Sequence, residues 1–438
     1  MDTDKTTLAD LSIFSAEEEF SVFDKLNLTR TALGREQLRL NFTHALQSID
    51  EICGVQQTIK LIIQHRMNWP KRINNGTLMV IETFYDSSID QIPARAGFFA
   101  AMNYKTFHSG DFSLVKYSVT HCFEFIKGMQ LLIKLFLTDD TPAPLKKILE
   151  ESKRTLNNDQ FAVIGQYKTA DELNTQQLLK LANFIRYHYK THMYALLDFY
   201  AQLDAWWSMA EAVAQYGLVF PEFIEGQQPV VSCKGLYHVL LTKPVAYDVD
   251  LNPTNNFLFL TGANMAGKST FIKSMGIGVF LAHSGMGVPA QKMQLTFFDG
   301  LLSNINVVDN VVKGESYFYN EVQRIKTTVT RINNGKKWLI LIDELFKGTN
   351  VQDAMKCSST VIEGLLKIKN SLFILSTHLY EIGEELKKYP NISFRYFETT
   401  VTGEQLEFSY LLKEGISNDR LGYLILKKEG VVDLLSKL

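Results

Sequence analysis

Apolar positions keep a helical period through the first half of the chain and alternate between strand-like runs and helical patterns in the second. Near the start, Leu8, Leu11, Phe20, Phe23 and Leu26 fit one helix face, with no proline before Pro70 and Gly34 the one glycine before position 54. Ser15-Ala16-Glu17-Glu18 reads as a capping box, the serine accepting from an early backbone N–H while the glutamate reaches back, so a helix is predicted to start there. Residues 70–165 carry scattered Pro, Gly and Asn and predict shorter helices joined by loops. From Thr169 to Tyr216 there is neither Pro nor Gly, and Thr169-Ala170-Asp171-Glu172 is a second capping box. Leu178, Leu181, Ile185, Leu196, Leu197, Tyr200, Leu203, Trp207, Ala210 and Val213 then share one face. One continuous helix would span roughly 65–70 Å and suggest a lever; the alternative is two helices broken near His192.

Gly217 ends that pattern, and GQQPVVSCKG (226–235) has the composition of a linker, which places a domain boundary there. Beyond it the apolar runs Phe257–Leu260, Trp338–Ile342 and Ser371–Leu375 alternate with helical patterns, the signature of a mostly parallel sheet covered by helices. Residues 251–438 hold 16 of the 26 glycines, as a loop-rich α/β domain requires. The expected architecture is an all-helical domain over 1–228 and an α/β domain over 229–438.

Composition narrows the class. The chain has 438 residues, 46% hydrophobic and 21% charged, which fits a folded protein of two or three domains and excludes a disordered one. Its formal charge of −2 gives no global basic signature, so any nucleic-acid contact must be a local patch. Cys53, Cys122, Cys233 and Cys357 are far apart with no C-x-x-C pair, which argues against a disulfide framework or zinc site and points to a reducing cytoplasm. No apolar stretch reaches the length of a membrane span, and no signal segment is evident, so no membrane association is expected.

The sharpest chemical feature is Gly262-Ala263-Asn264-Met265-Ala266-Gly267-Lys268-Ser269-Thr270, between a strand-like and a helix-like segment. It satisfies G-x-x-x-x-G-K-[ST], in which glycines let backbone N–H groups wrap phosphates, the lysine reaches the β and γ oxygens, and Ser269 ligates Mg²⁺. About eighty residues on, the apolar run 338–342 ends in Asp343-Glu344. Asp343 is placed to hold Mg²⁺ through water and Glu344 to act as general base on the attacking water. The run 371–376 leads to His378, and in a parallel sheet the strand C-termini share a ligand-facing edge, so His378 can face the γ-phosphate. Gly314-Glu315-Ser316-Tyr317-Phe318-Tyr319-Asn320-Glu321 lies between, with Ser316 to Asn320/Glu321 an imperfect capping box.

These segments, TGANMAGKST, GESYFYNEV, LILIDELFKGTN and STHLYEI, resemble in order the ATPase of the MutS family of DNA mismatch-repair proteins. LYHVLLTKPVAYDVDL (236–251) is similar to the family's lead-in, and Gly415-Ile416-Ser417 through Gly422 to its closing segment. TLADLSIF (7–14), LNLTRTALGREQLR (26–39) and LDAWWSMAEAVAQYGLVFPEF (203–223) resemble the two ends of its helical core. The resemblance implies a helical core/lever followed by an ABC-type P-loop ATPase, with ATP and Mg²⁺ as cofactors. It assigns Lys268, Ser269 and Asp343 to phosphate and Mg²⁺, Glu344 to the general base and His378 to a γ-phosphate sensor. Ser316 would act in trans and Gly348-Thr349-Asn350 line the same interface, which implies a homodimer through the ATPase domain.

Departures from the family pattern bear on the partner. Ala266 replaces a glycine at a variable position, Val239 replaces a proline, and LLSNINVVDN (301–310) replaces an arginine-bearing segment. No segment resembles the mismatch-reading or connector domains, Phe220-Pro221-Glu222 being an accidental Phe-x-Glu, and the DNA clamp is expected to be missing or reduced. The expected partner is mismatched or branched duplex DNA, with Arg66, Lys71, Arg72, Lys146, Lys147, Lys153 and Arg154 as candidate phosphate contacts. The alternative is a nucleotide-switched regulatory ATPase without mismatch recognition.

Overall fold

The structure is a computed structural model that describes residues 1–14, 21–95, 97–306, 317–402, 405–417, 426–427 and 430–435. Two compact units form. One comprises Met1–Lys25, Ala45–Ile52 and Tyr216–Leu438, the other Leu26–His44 and Cys53–Gln215. The single boundary expected near 228 is therefore not the observed division.

Among its described residues the first unit carries ten strands: β1 (Glu222–Phe223), β2 (Val231–Leu236), β3 (Tyr247–Leu251), β4 (Phe257–Thr261), β5 (Lys292–Leu295), β6 (Gly300–Asn304), β7 (Trp338–Asp343), β8 (Ser371–Ser376), β9 (Ile392–Thr402) and β10 (Gln405–Glu414). Six form one sheet in the order β10-β9-β4-β8-β7-β6, parallel except for β10. Every residue of β4, β7 and β8 is buried, because helices cover both faces of a parallel sheet, and their sequences are accordingly continuous apolar runs. Phe257, Phe259, Ile340, Ile342, Phe373 and Leu375 share one core with residues of the helices Val351–Leu365 and Tyr380–Leu386. Register pairs Leu260 and Asp343 with Ser376 on either side, so the C-terminal ends of three strands lie level.

A second sheet has the order β1-β5-β2-β3. The segment read as a linker enters it: Val231 and Cys233 are buried in β2, and β1 pairs with β5. The helical pattern ends at Gly217, as its sequence indicates, and the φ of 64° there lies in the left-handed region that favours glycine. Residues 1–25 belong with the sheets for a packing reason. Leu11 is fully buried, and with Leu341 it fills the space where a Cβ on Gly276 of the helix Lys268–His283 would sit. Ser15-Ala16-Glu17-Glu18 lies outside the described residues.

The second unit is helical throughout its described residues. Its longest helix is Ser109–Phe136, 28 residues, where the sequence predicted shorter pieces. Gly128 is not a breaker there; a Cβ would stand 2.7 Å from Ile73, so the small residue admits a neighbouring side chain. The pattern from Thr169 to Tyr216 is divided. Thr169 and Glu172 form the capping box, but around a single turn, and Asn174 with Gln177 caps the helix Thr175–His188. Tyr189 leaves helical geometry, its ring against Phe161, Phe184 and His192, before Lys190–Tyr216 begins. The two-helix alternative therefore describes the chain, and the second piece is about 40 Å long at about 1.5 Å per residue.

Asp204 joins two of the distinctive segments. Its fully buried carboxylate accepts from Arg30 N–H at 3.0 Å, Thr31 N–H at 2.9 Å and Thr31 Oγ1 at 2.7 Å, at the start of the helix Ala32–Thr43. Burial raises its pKa, and those donors act against the rise. Arg30 also stacks on Trp207, 4.3 Å from the ring centre.

Candidate functional site

The strand β4, the loop 262–267 and the helix Lys268–His283 form one continuous strand–loop–helix. Gly267 has φ 108° at the turn into the helix, a conformation open to glycine and costly for residues with a Cβ. Met265 is also left-handed at 67°, whereas Ala266 is not, so its methyl is accommodated. By helix geometry the N–H groups of the first turn point back towards the loop, as an anion-binding terminus requires.

Lys268 is 6% exposed, and its Nζ donates to the carbonyl oxygens of Gly262 at 2.8 Å and Ala263 at 2.9 Å. Burial lowers its pKa from 10.5 to about 8, opposed by the charges of Glu344 and Asp343. Ser269 Oγ donates to one oxygen of Asp343 and Ser376 Oγ to the other. These groups form a hard oxygen set of the kind Mg²⁺ takes, with Ser376 orienting the carboxylate from behind.

Glu344 follows in a left-handed turn, φ 62°, with its backbone N–H bonded to Ser376 O. One carboxylate oxygen lies 2.7 Å from His378 Nε2 and the other 3.1 Å from Lys347 Nζ. Burial works against its charge, but the His378 hydrogen bond and the Lys347 charge outweigh this and hold the pKa at about 2. His378 Nε2 is also 3.4 Å from Lys268 Nζ. One nitrogen cannot donate to the carboxylate and accept from the ammonium together; the shorter contact assigns the proton to Nε2, donating to Glu344.

These groups line one end of a cleft of about 560 Å³, a size suited to a small-molecule ligand. The strand register brings them level, so Ala263, Asn264, Met265, Gly267, Lys268, Ser269 and Thr270 meet Asp343, Glu344 and His378 there. Gly262 serves through its carbonyl oxygen, and Ala266 is buried beneath the loop. Ser316 lies outside the described residues, as does Gly422. Ser417 N–H donates to Thr261 Oγ1 at 2.8 Å, tying the closing segment to the end of β4.

Sequence reasoning missed the rest of the lining. Lys347 lines the cleft too, as do His238, Leu241, Lys243, Val245, Tyr247 and Tyr410. Burial pushes the His238 pKa down to about 4, aided by Lys273, and the Tyr247 phenol up to about 12. His238, Leu241, Lys243, Val245 and Tyr247 all fall in the segment 236–251 that carries the lead-in resemblance, which was the available signal. Only β10 lying at the sheet edge brings Tyr410 to the cleft.

Comparison with known proteins agrees with this geometry. The family model for MutS domain V matches residues 258–434, from β4 through the last described helix. The DNA mismatch repair protein MutS of Thermotoga maritima is 27% identical over 309 residues, 67% of this chain and 38% of that protein. Residues 258–434 therefore carry the MutS domain V match, within a chain similar to MutS proteins. The DNA mismatch repair protein MutS of Petrotoga mobilis is 27% identical over 52% of the chain and 28% of its own length. MutS protein homolog 4 of Homo sapiens is 30% identical over 52% of the chain and 25% of its own length. The chain thus spans between about a quarter and two fifths of the MutS relatives it matches. The unit that holds the MutS domain V match also contains β1–β3, which precede the matched residues and supply Tyr247 to the cleft.

Proposed function

We propose that the chain is an ATP-hydrolysing, DNA-binding protein of MutS type that acts as a dimer in mismatch repair or related recognition of DNA structure. The observation that carries the ATPase reading is the convergence of Lys268, Ser269, Asp343, Glu344 and His378 at one end of one cleft. Lys268 would exchange its two carbonyl partners for the β and γ oxygens of ATP, gaining charge partners for a buried ammonium. Ser269 and Asp343 would hold Mg²⁺, which when bound neutralises charge on the phosphate oxygens. Glu344, ionised across the physiological range, would accept the proton of the attacking water, while His378, the γ-phosphate sensor of this reading, restrains its carboxylate. Tyr247 and Tyr410, with Leu241, Val245 and Lys243 also in the lining, would offer rings and apolar surface to the base. The testing experiment is Mg²⁺-dependent ATP turnover by the wild type and Glu344→Gln. Turnover lost with ATP binding kept supports the reading; equal turnover removes Glu344 from the role of base.

The helical unit would act as the lever and the ATPase units would pair, with Ser316 and Gly348-Thr349-Asn350 at the shared site. Mixing Ser316→Ala with Lys268→Met chains separates a site composed across two chains, which gives a mixing-dependent rate, from independent ones. The relatives named as mismatch repair proteins support the DNA assignment. The four unpaired cysteines support a cytoplasmic setting, and no helix among the described residues is long and apolar enough to cross a membrane.

The near-zero net charge favours a second reading, a nucleotide-switched regulatory ATPase without mismatch recognition. Among the candidate phosphate contacts Arg72 is engaged by Glu124 and by Lys168 O, whereas Lys153 and Arg154 are exposed. Salt titration of duplex, mismatched and branched DNA binding decides between the readings. A falling affinity with rising salt supports DNA as partner, and absence of binding with ATP present supports the regulatory one.

A further inference from the structure

Glu321 lies on the helix Tyr317–Ile332, does not line the cleft, and is only 5% exposed. A carboxylate at that depth requires donors. Among the described residues there are two: one oxygen accepts from Lys347 N–H at 3.0 Å and the other from Gly348 N–H at 3.2 Å. Glu321 therefore grips the loop that follows Asp343.

That loop needs gripping, since Glu344 and Phe346 both have left-handed backbones, at φ 62° and 60°, which non-glycine residues keep only when their surroundings enforce it. Two further contacts join the helix to the loop. Phe318 and Phe346 rings pack with centroids 5.7 Å apart, and a Cβ on Gly348 would stand 2.8 Å from Phe318 N. The side chain of Lys347 in turn reaches Glu344 at 3.1 Å. The residue whose backbone Glu321 holds is thus one of the two whose side chains hold the proposed base.

We propose that Glu321 is a positioning residue for ATP hydrolysis: its paired bonds to Lys347 and Gly348 fix the left-handed turn that aims Glu344 at the phosphate end of the cleft. The proposal rests on the ATPase reading above.

The test uses the full chain with Glu321→Gln, which keeps the volume but places an amide NH₂ against one of the two backbone donors. Steady-state turnover, nucleotide affinity and the thermal midpoint are measured together. The expected result is a kcat at least about tenfold lower with nucleotide Kd within about threefold, because small misplacement of a reacting group costs turnover more than binding. In a Lys347→Met background the same substitution is expected to lose most of its effect, as both act through one loop. Gly348→Ala, which crowds the same contact while leaving Glu321 intact, should reproduce the selective kcat loss and covers the case in which Glu321→Gln fails to fold. An unchanged kcat, a parallel loss of kcat and affinity, or full additivity with Lys347→Met overturns the proposal. A wild type that binds no nucleotide and turns over no ATP instead overturns the ATPase reading and this proposal with it.

Discussion

His378 Nε2 and Glu344 Oε1 stand 2.7 Å apart across the ends of the adjacent parallel strands β7 and β8. Neither residue could be placed there by its own segment. Glu344 begins the loop after one strand and His378 lies two residues beyond the other, and register alone brings the loops together. The pair holds the carboxylate ionised and shares it with Lys347, so it is an acceptor fixed in direction before any substrate arrives.

Removing the histidine should therefore cost turnover more than binding. His378→Ala is expected to lower kcat by about 10²-fold, the lower end of the range for general acid–base groups, with nucleotide affinity changed only a few-fold. Single-turnover hydrolysis compared with equilibrium nucleotide binding checks this, and an equal loss in both would place His378 in binding alone.

Lys268 gives a pH signature of opposite sign for binding and folding. Its folded pKa of about 8 lies below the ordinary 10.5, so between those values the unfolded chain binds the extra proton. Stability from this group therefore rises with pH across that window, while affinity for an anionic nucleotide falls as the free ammonium is lost above about pH 8. Wild type minus Lys268→Met should show affinity dropping towards tenfold per pH unit above that point. A flat difference would show the lysine to be uninvolved in phosphate binding.

His283 should make the first unit acid-sensitive. It is fully buried, with Nδ1 2.8 Å from Val279 O and Nε2 accepting from Phe298 N–H at 2.9 Å, an arrangement only the neutral ring satisfies. Burial lowers its pKa to about 3, below the ordinary 6.5. The unfolded chain therefore takes up the proton first, and stability present above pH 6.5 is lost as pH falls towards 3. Between pH 7 and 5 the loss is about 2 kcal/mol at about 1.4 kcal/mol per unit. Urea unfolding should show a shallower pH slope in His283→Gln.

In the second unit Gly34→Ala should destabilise by about 1–3 kcal/mol or more, the cost of overpacking a filled site. A Cβ there would come within 2.1 Å of Asp204 Oδ2, displacing the carboxylate from Arg30 and Thr31. Asp204→Ala should lower stability through the opposite defect, leaving buried N–H groups without an acceptor. Chemical unfolding followed by tryptophan fluorescence reports both, since Trp207 stacks on Arg30.

The chain's own order made the glycine-rich loop 262–267 legible, because strand β4, that turn and the following helix are contiguous and their requirements are local. The parallel-sheet strands were legible for a related reason: burial on both faces writes itself as unbroken apolar runs at 338–342 and 371–375. The break at Tyr189 was visible only as an alternative. No proline or glycine marks it, and aromatic packing against Phe161 and Phe184 makes it.

What the sequence determined by itself was therefore the identity of the groups: an anchored lysine, a serine, two adjacent carboxylates and a histidine, each at the end of its own element. Only the tertiary structure decided which other residues join them. Lys347, Tyr247, Tyr410 and the buried Glu321 reach the site or its supports through strand order and helix packing. Residues 1–25 join the sheets because Leu11 fits beside Gly276. Local periodicity records whether a position is buried, but the neighbour it is buried against depends on contacts between segments far apart in the chain, and those are set by packing.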